Sequence, residues 1–448
     1  MFIINAIKKL KNSKRVFFTT PSHSQGAIIP PIIKNLIGLK AFQADFSEVD
    51  GLDNLKNPQS CLMKSQRKAS QIYGSQETFY LVNGSSSGIL ALMMTVLKEN
   101  DKVLIARNAH ESVFNGLVLT GAVPVWFLPD YCEKFDIAQG ITLKKVQEAY
   151  ENAPDAKALI ITSPTYEGVC SEIKKISDFC IEKGLIFIVD EAHGALLSFS
   201  ERLPRRAISL GADASVQSLH KTAGALTGSA LLHLKKNSFV NPKELQKNLN
   251  LINSTSPSWL LIASIEAAIE YLNSARGRDE LNKLVDNIEK IKEYHPQYSF
   301  LEGLNCDKTK LLIKKEGISG EVLSYFLSEN DIEDELITQK AVLCLCGIGT
   351  TKKKLKKLSK VLNKISHKTS PKSEFNLDMQ TIPKMMLKPK DAYNSRYETI
   401  PVKKSIGRII AQNITPYPPC VPVLMAGEVI EDRHLGFLDE VVQVVISE

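Results

Sequence analysis

The chain has 448 residues, of which 44% are hydrophobic and 23% charged, with a net charge of +7. That length exceeds one ordinary core and predicts a globular protein of two or three domains. No apolar run reaches the length of a membrane span, and the opening MFIINAIKKLKNSKRVFF carries its charges after a short apolar stretch, unlike a secretory leader, so a cytoplasmic protein without membrane contact is expected.

From Phe79 to His233 short apolar runs alternate with helix-like stretches. TFYLVNG reads as a strand ending in turn residues, and SSSGILALMMTVLKEN follows with helical spacing. DKVLIARNAH is a second strand, then ESVFNGLVLTG a helix closed by Gly121. VPVWFLPD, KALIITSPTY, LIFIVDEAHG and ASVQSLHK continue the series. Such alternation predicts an α/β domain around a mostly parallel sheet, in which ligands collect at the carboxyl ends of the strands. Those ends carry Asn83-Gly84-Ser85, Asn108-Ala109-His110, Ser163-Pro164-Thr165, Asp190-Glu191-Ala192-His193 and Ser218-Leu219-His220-Lys221.

After Asn253, STSPSWLLIASIEAAIEYLNSA is helical, and DKTKLLIKKEG and AVLCLCGIGTT predict strands of a smaller α/β unit. Much of the positive excess lies in TKKKLKKLSKVLNKISHK, whose apolar residues recur at helical spacing. It reads as one solvated helix face; without aromatic interleaving or zinc spacing, no nucleic-acid partner is expected. HKTSPKSEFNLDM then leads to a Pro-rich C-terminal part, GRIIAQNITPYPPCVPVLMAGEVI. The expected division is an arm over 1–50, a large domain over 51–270, a small α/β domain over 271–368 and a C-terminal domain over 369–448. Eight cysteines from Cys61 to Cys420 form neither a disulfide framework nor paired metal-ligand arms, so reduced thiols and no metal are expected.

Lys221 stands among small residues in SVQSLHKTAGALTGSALLH, where a flat ligand has room and an amine can serve as a nucleophile toward a carbonyl. Read alone, it is equally an ordinary lysine at a helix start. Asp190 ends the apolar strand LIFIVD, where a buried carboxylate needs a cation. The pyridinium nitrogen of pyridoxal 5'-phosphate is one such cation, and a salt bridge or helix cap is the ordinary alternative. Gly84, Ser85, Ser86 and Ser87 open a helix after a strand and offer amides and hydroxyls to a phosphate, although serine is also a common cap. Ser218 adds a hydroxyl, His110 a ring to lie on the pyridine, and His220 a group suited to moving a proton.

With these residues in place, the chain resembles the pyridoxal-phosphate-dependent Orn/Lys/Arg decarboxylases of the aspartate-aminotransferase fold type. TTPSHSQG, DFSEVDGLDNLKNP, NGSSSG, RNAHESVFNGL, ITSPTYEGV, VDEAHGA, SLHKTAGALTGSALLH, NSTSPSWLLIASIEAA and PYPPCVPVLMAGEVI are similar to that family's motifs, in order, over nearly the whole length. The resemblance implies a fold type I architecture with a seven-stranded-type central sheet, a smaller α/β domain and a C-terminal domain. It implies that Lys221 bonds the cofactor, Asp190 partners the ring nitrogen, His110 stacks on the ring and His193 lies near the cofactor oxygen. His220 would sit beside the phosphate and the reacting carbon, and Ser85, Ser86 and Ser218 would hold phosphate. Thr255 and Ser256 would reach a neighbouring subunit's phosphate in a homodimer or larger homo-oligomer, and Glu428 would meet the distal cation of the substrate. The implied reaction is α-decarboxylation of a basic amino acid for polyamine metabolism, with arginine favoured over lysine and ornithine by likeness to the shorter, biosynthetic members. Ser22, Ser24, Gly228, Cys420 and Ala426 depart from the family pattern and put substrate identity in doubt. The alternatives are another pyridoxal-phosphate reaction such as transamination, disfavoured because no arginine stands near AVLCLCGIGTTKKK, and a non-catalytic paralogue.

Overall fold

Seven strands build the central sheet: β1 (Glu77–Leu81), β2 (Lys102–Ala106), β3 (Val123–Phe127), β4 (Ala158–Thr162), β5 (Ile186–Asp190), β6 (Ala214–Ser218) and β7 (Ala230–Leu234). They belong to a computed structural model that describes residues 1–365, 381–415 and 422–446. The order across the sheet is β1-β7-β6-β5-β4-β2-β3. Neighbours from β6 to β3 pair in parallel, whereas β7 runs antiparallel to both β6 and β1. The mostly parallel sheet expected from the alternation is therefore present, with one reversed strand that the sequence reading did not separate. The segment between β6 and β7 is too short for a crossover, which forces the reversal.

Alternate residues of the strands enter different cores, as the two-residue period requires. Val103, Ile105, Ile160 and Ile188 pack on one face with Ile89, Leu92 and Phe114. Leu104, Leu159, Ile161, Phe187 and Val189 pack on the other with Val146, Ile176 and Phe179. Helices cover both faces, so the strands read as nearly continuous apolar runs and their polar residues gather at the ends.

A second, antiparallel sheet has the order β8-β9-β11-β10, from β8 (Ser299–Phe300), β9 (Lys310–Lys314), β10 (Leu336–Ile337) and β11 (Val342–Leu345). The basic helix Lys352–Leu362 turns Leu355, Leu358, Val361 and Leu362 inward and leaves Lys352, Lys353, Lys354, Lys356, Lys357 and Lys360 exposed. This sheet is not a separate body. Leu311, Val342 and Leu355 share one core with Tyr80, Trp259 and the N-terminal residues Ile3, Ile7 and Leu10. β12 (Tyr397–Pro401) and β13 (Val441–Val445) pair antiparallel near the C-terminus, over a small core of Ile410, Leu424, Ile430, Val442 and Val444. Among the described residues no helix is long and apolar enough to cross a membrane, and no cluster of His, Cys, Asp or Glu is placed to hold a metal. The stretch HKTSPKSEFNLDM and Cys420 lie outside the described residues.

Candidate active site

The carboxyl ends of β5 and β6 carry the centre of the site. β5 delivers Asp190, which is 3% exposed, and one of its carboxylate oxygens accepts the Ala192 amide at 3.0 Å. β6 ends at Ser218 and runs straight into the short helix Leu219–Thr222, which presents His220 and Lys221. The Lys221 Nζ lies 2.8 Å from Nε2 of His193, two residues past the Asp190-Glu191 pair. Asp190 and Val216 are opposite each other in the β5–β6 ladder, so one parallel step brings the carboxylate and the amine to the same edge.

Burial holds His193 well below the ordinary imidazole value, and the charges of Lys310 and Lys221 push it the same way. Its ring packs on Tyr166, with centroids 4.2 Å apart. His110 closes the turn after β2 and caps the helix Glu111–Thr120, its Nδ1 accepting the Ser112 amide at 3.1 Å. That cap fixes the plane of the ring. Burial lowers the His110 pKa, against the pull of the Asp190 carboxylate, so a neutral, flat face is what it offers. His220 Nδ1 donates to the Ser229 carbonyl at 3.1 Å, which leaves Nε2 with the lone pair; burial lowers its pKa too.

The expected phosphate end forms at the carboxyl ends of β1 and β6, the two strands that flank β7. Ser218 Oγ and Ser85 Oγ lie 2.8 Å apart although the residues are far apart in sequence. Ser85 and Ser86 sit in the first turn of the helix Gly84–Val96, and the N-cap residue Asn83 makes no side-chain cap. The opening amides of that helix have no intrahelical acceptor, and they add a positive dipole end. Gly84 contributes differently from expectation: its amide is already donated to the Gly228 carbonyl at 2.8 Å, so it shapes the turn instead of offering a donor. Gly228 has φ +90, a conformation that side chains rarely adopt, which explains why this chain carries glycine there.

Three expected contributors stand elsewhere. Thr255 and Ser256 are exposed on the loop before the helix Trp259–Asn273, facing away from this chain's own core. Glu428 is fully buried, and its carboxylate accepts from Arg107 Nη2 and the Met425 amide, both at 2.8 Å. This corrects the expectation that it meets a substrate cation: a guanidinium from the end of β2 already occupies it. Ala426 is likewise buried, with Ala392, Ala411 and Val445 around it.

Sequence reasoning missed Lys310, at the start of β9. Its Nζ lies 3.2 Å from Nδ1 of His193, on the far side of the ring from Lys221. The fully buried side chain has its amine pushed down to about 8, chiefly by burial and by Lys221, while Asp307 opposes the shift. Two lysines and three histidines thus converge near Asp190. A donor set so rich in cations fits an anionic ligand with phosphate and phenolate oxygens, and the buried Asp190 fits a ring that carries a proton on nitrogen. Pyridoxal phosphate has all of these groups.

Comparison with known proteins decides the family. The Orn/Lys/Arg decarboxylase major domain matches residues 3–311, and the C-terminal domain of the same family matches residues 373–444. The chain belongs to the Orn/Lys/Arg decarboxylase family. It is 32% identical to an arginine decarboxylase of Halalkalibacterium halodurans, over 95% of this chain and 90% of that protein. A lysine decarboxylase of Pseudomonas aeruginosa is 21% identical, over 94% of this chain and 72% of its own. The lysine decarboxylase crystal structure from Francisella novicida superposes with a TM-score of 0.86, at 19% identity, over 99% of this chain and 81% of that one; this likeness speaks for the fold. As a member, the chain is a pyridoxal-phosphate-dependent amino-acid decarboxylase of fold type I.

Proposed function

We propose that this decarboxylase acts on arginine and releases agmatine and carbon dioxide, feeding polyamine metabolism. The observation that supports arginine is the relation at 32% to a protein named for it, against 21% to one named for lysine, each over most of the chain. In the reaction the bond from the α-carbon to the carboxylate breaks, carbon dioxide leaves, and a proton returns to the same carbon. Pyridoxal phosphate, when bound, supplies the electron-withdrawing ring that takes up the released pair.

The residues of this chain divide the work. Lys221 holds the cofactor through its amine. Asp190 keeps a proton on the ring nitrogen, at a site buried enough for the charge pairing to be strong. His110, locked by its own cap, would cover one face of the ring and exclude water there. Ser85, Ser86, Ser218 and the helix opening bind phosphate. His193 would face the cofactor oxygen, and His220, with Nδ1 committed to Ser229, would take up a proton at its Nε2 lone pair and pass it to the α-carbon.

A second copy of the chain is part of this proposal. The arm exposes Val16, Phe18, Ile28, Ile32 and Leu36, with Phe18 98% and Ile28 85% exposed, more apolar surface than a monomer ordinarily leaves bare. A homodimer covering that face would also give Thr255 and Ser256 a neighbour's phosphate to reach. The seven described cysteines are free, which supports a reducing, cytoplasmic setting.

The test is carbon dioxide release and product identification with arginine, lysine and ornithine on cofactor-saturated protein. Agmatine at the highest kcat/KM is the expected result. Faster turnover of lysine or ornithine overturns the substrate, and silence on all three overturns the activity.

A further inference from the structure

Lys310 belongs to the second sheet, yet its amine ends against a ring of the central sheet's site. The slot that admits it is built for a long stem. Gly168, at φ +105 in the loop after β4, passes so close that an added Cβ would lie 2.5 Å from Lys310 Cγ. The same loop is stitched to the second sheet by the Asp307 amide, which donates to the Gly168 carbonyl at 2.8 Å, and by a bridge between Val169 and Cys306. Asp307 in turn accepts the Thr309 amide at 2.9 Å and the Thr309 hydroxyl at 2.7 Å, which sets the direction of the chain entering β9.

The hydrogen bonding of the ring restricts what this arrangement can be. A neutral imidazole has one N–H and one lone pair, whereas an ammonium group donates only. With Lys221 on Nε2 and Lys310 on Nδ1, only one of the two amines can be an ammonium while both contacts stand. Lys310 is the better place for the charge, because Asp307 and Glu335 on its own sheet favour it, and Glu167 feels it from the loop. Its ammonium then donates to Nδ1, and the ring's remaining proton sits on Nε2, directed at Lys221. His110, His220 and Asp190 complete the charged groups around the pair.

We propose that Lys310 is a positioning residue of the active site: it clamps His193 through Nδ1, fixes the tautomer, and so aims the Nε2 proton at Lys221 and the bound cofactor. The inference rests on the cofactor reading above and adds a functional link between the two sheets.

The experiment is a pH titration of the visible absorption band of the cofactor-loaded protein, for wild type, Lys310→Met, His193→Asn and the double variant. In Lys310→Met the ring loses the donor on Nδ1 and can turn an Nε2 lone pair toward the cofactor in place of the proton, which favours the protonated form of the bound group. The midpoint of Lys310→Met is therefore expected to rise by about one pH unit, roughly a tenfold gain in proton affinity. In the His193→Asn background the same substitution should be silent, since the ring that transmits it is gone. An unchanged midpoint in Lys310→Met overturns the proposal, and so does an equal shift in both backgrounds, which would mean a through-space charge effect without His193. Lys310→Leu, which likewise removes the donor to Nδ1, replaces Lys310→Met if the latter does not take up cofactor, with the same expectations. Absence of any visible band in the unsubstituted protein sinks the cofactor reading itself and is thereby distinct from failure of the Lys310 assignment.

Discussion

Two buried clusters of charge lie past the carboxyl ends of strands in the central sheet, and they are built on opposite principles. At the end of β2, Arg107 meets Glu428 at 2.8 Å, with the guanidinium 4.9 Å from the centre of the Trp126 ring and 5.4 Å from that of Phe114. One guanidinium meets one carboxylate directly, and aromatic rings cover the cation. Past β5 and β6 two amines, Lys221 and Lys310, crowd the two nitrogens of one buried imidazole, and Asp307 and Glu335 only partly offset the burial that pushes Lys310 down to about 8. Such a cluster is costly unless something anionic completes it. The difference separates architecture from chemistry: a balanced pair ties segments together, and an unbalanced group waits for a ligand.

The strongest way to break this comparison is to remove the amine of the unbalanced cluster. Lys221→Ala is expected to lose the visible cofactor band and to lower kcat by about a thousandfold or more, with the thermal unfolding midpoint of the apoprotein little changed. Absorbance, turnover and calorimetry check the three parts. Retention of both the band and the activity would remove the ground for treating the cluster as a site.

For the closed pair the expectation is reversed. Arg107→Leu leaves a buried carboxylate without its cation, and such losses cost about 3–5 kcal/mol of stability. Because Arg107 also donates to the Val423 carbonyl at 3.3 Å, the C-terminal segment loses a second tie to the end of β2. Chemical denaturation should show the loss, while the cofactor band survives in the fraction that remains folded. A variant of unaltered stability that no longer binds cofactor would move Arg107 into the active site and erase the distinction.

The central sheet was legible because burial on both faces turns its strands into apolar runs, and the polar residues that interrupt them mark the ends. Asp190, His110 and Lys221 were picked out as candidates in this way, each at the place where a run stops. Lys310 was not. In DKTKLLIKKEG it looks like one of several solvent-facing lysines, and its burial depends on a glycine at position 168 in a remote loop. The partner of Glu428 was hidden for the same reason, since Arg107 lies 321 residues earlier in the chain. β7 could have been read: the segment after β6 is too brief to return a parallel strand. What escaped is contact between distant segments, which local pattern does not encode.

The smallest expected effect sharpens the comparison from the side of the closed pair. Burial raises the Glu428 carboxyl from 4.5 to about 7, while Arg107 and the Met425 amide work against the rise. In the unfolded chain the same group ionises near 4.5, so between about 4.5 and 7 the folded state binds more protons than the unfolded state. Stability therefore falls through that window as pH rises, and the contribution of this group is fully present only below it. Glu428→Gln has no proton to lose. The stability of wild type relative to Glu428→Gln should decline from pH 4.5 to pH 7 and level off above, as read from denaturant midpoints at a series of pH values. Glu191, which burial also raises to about 7, is common to both proteins and cancels in the difference. A flat difference would mean that Arg107 holds the carboxylate ionised throughout, a pair balanced even more tightly than its burial suggests.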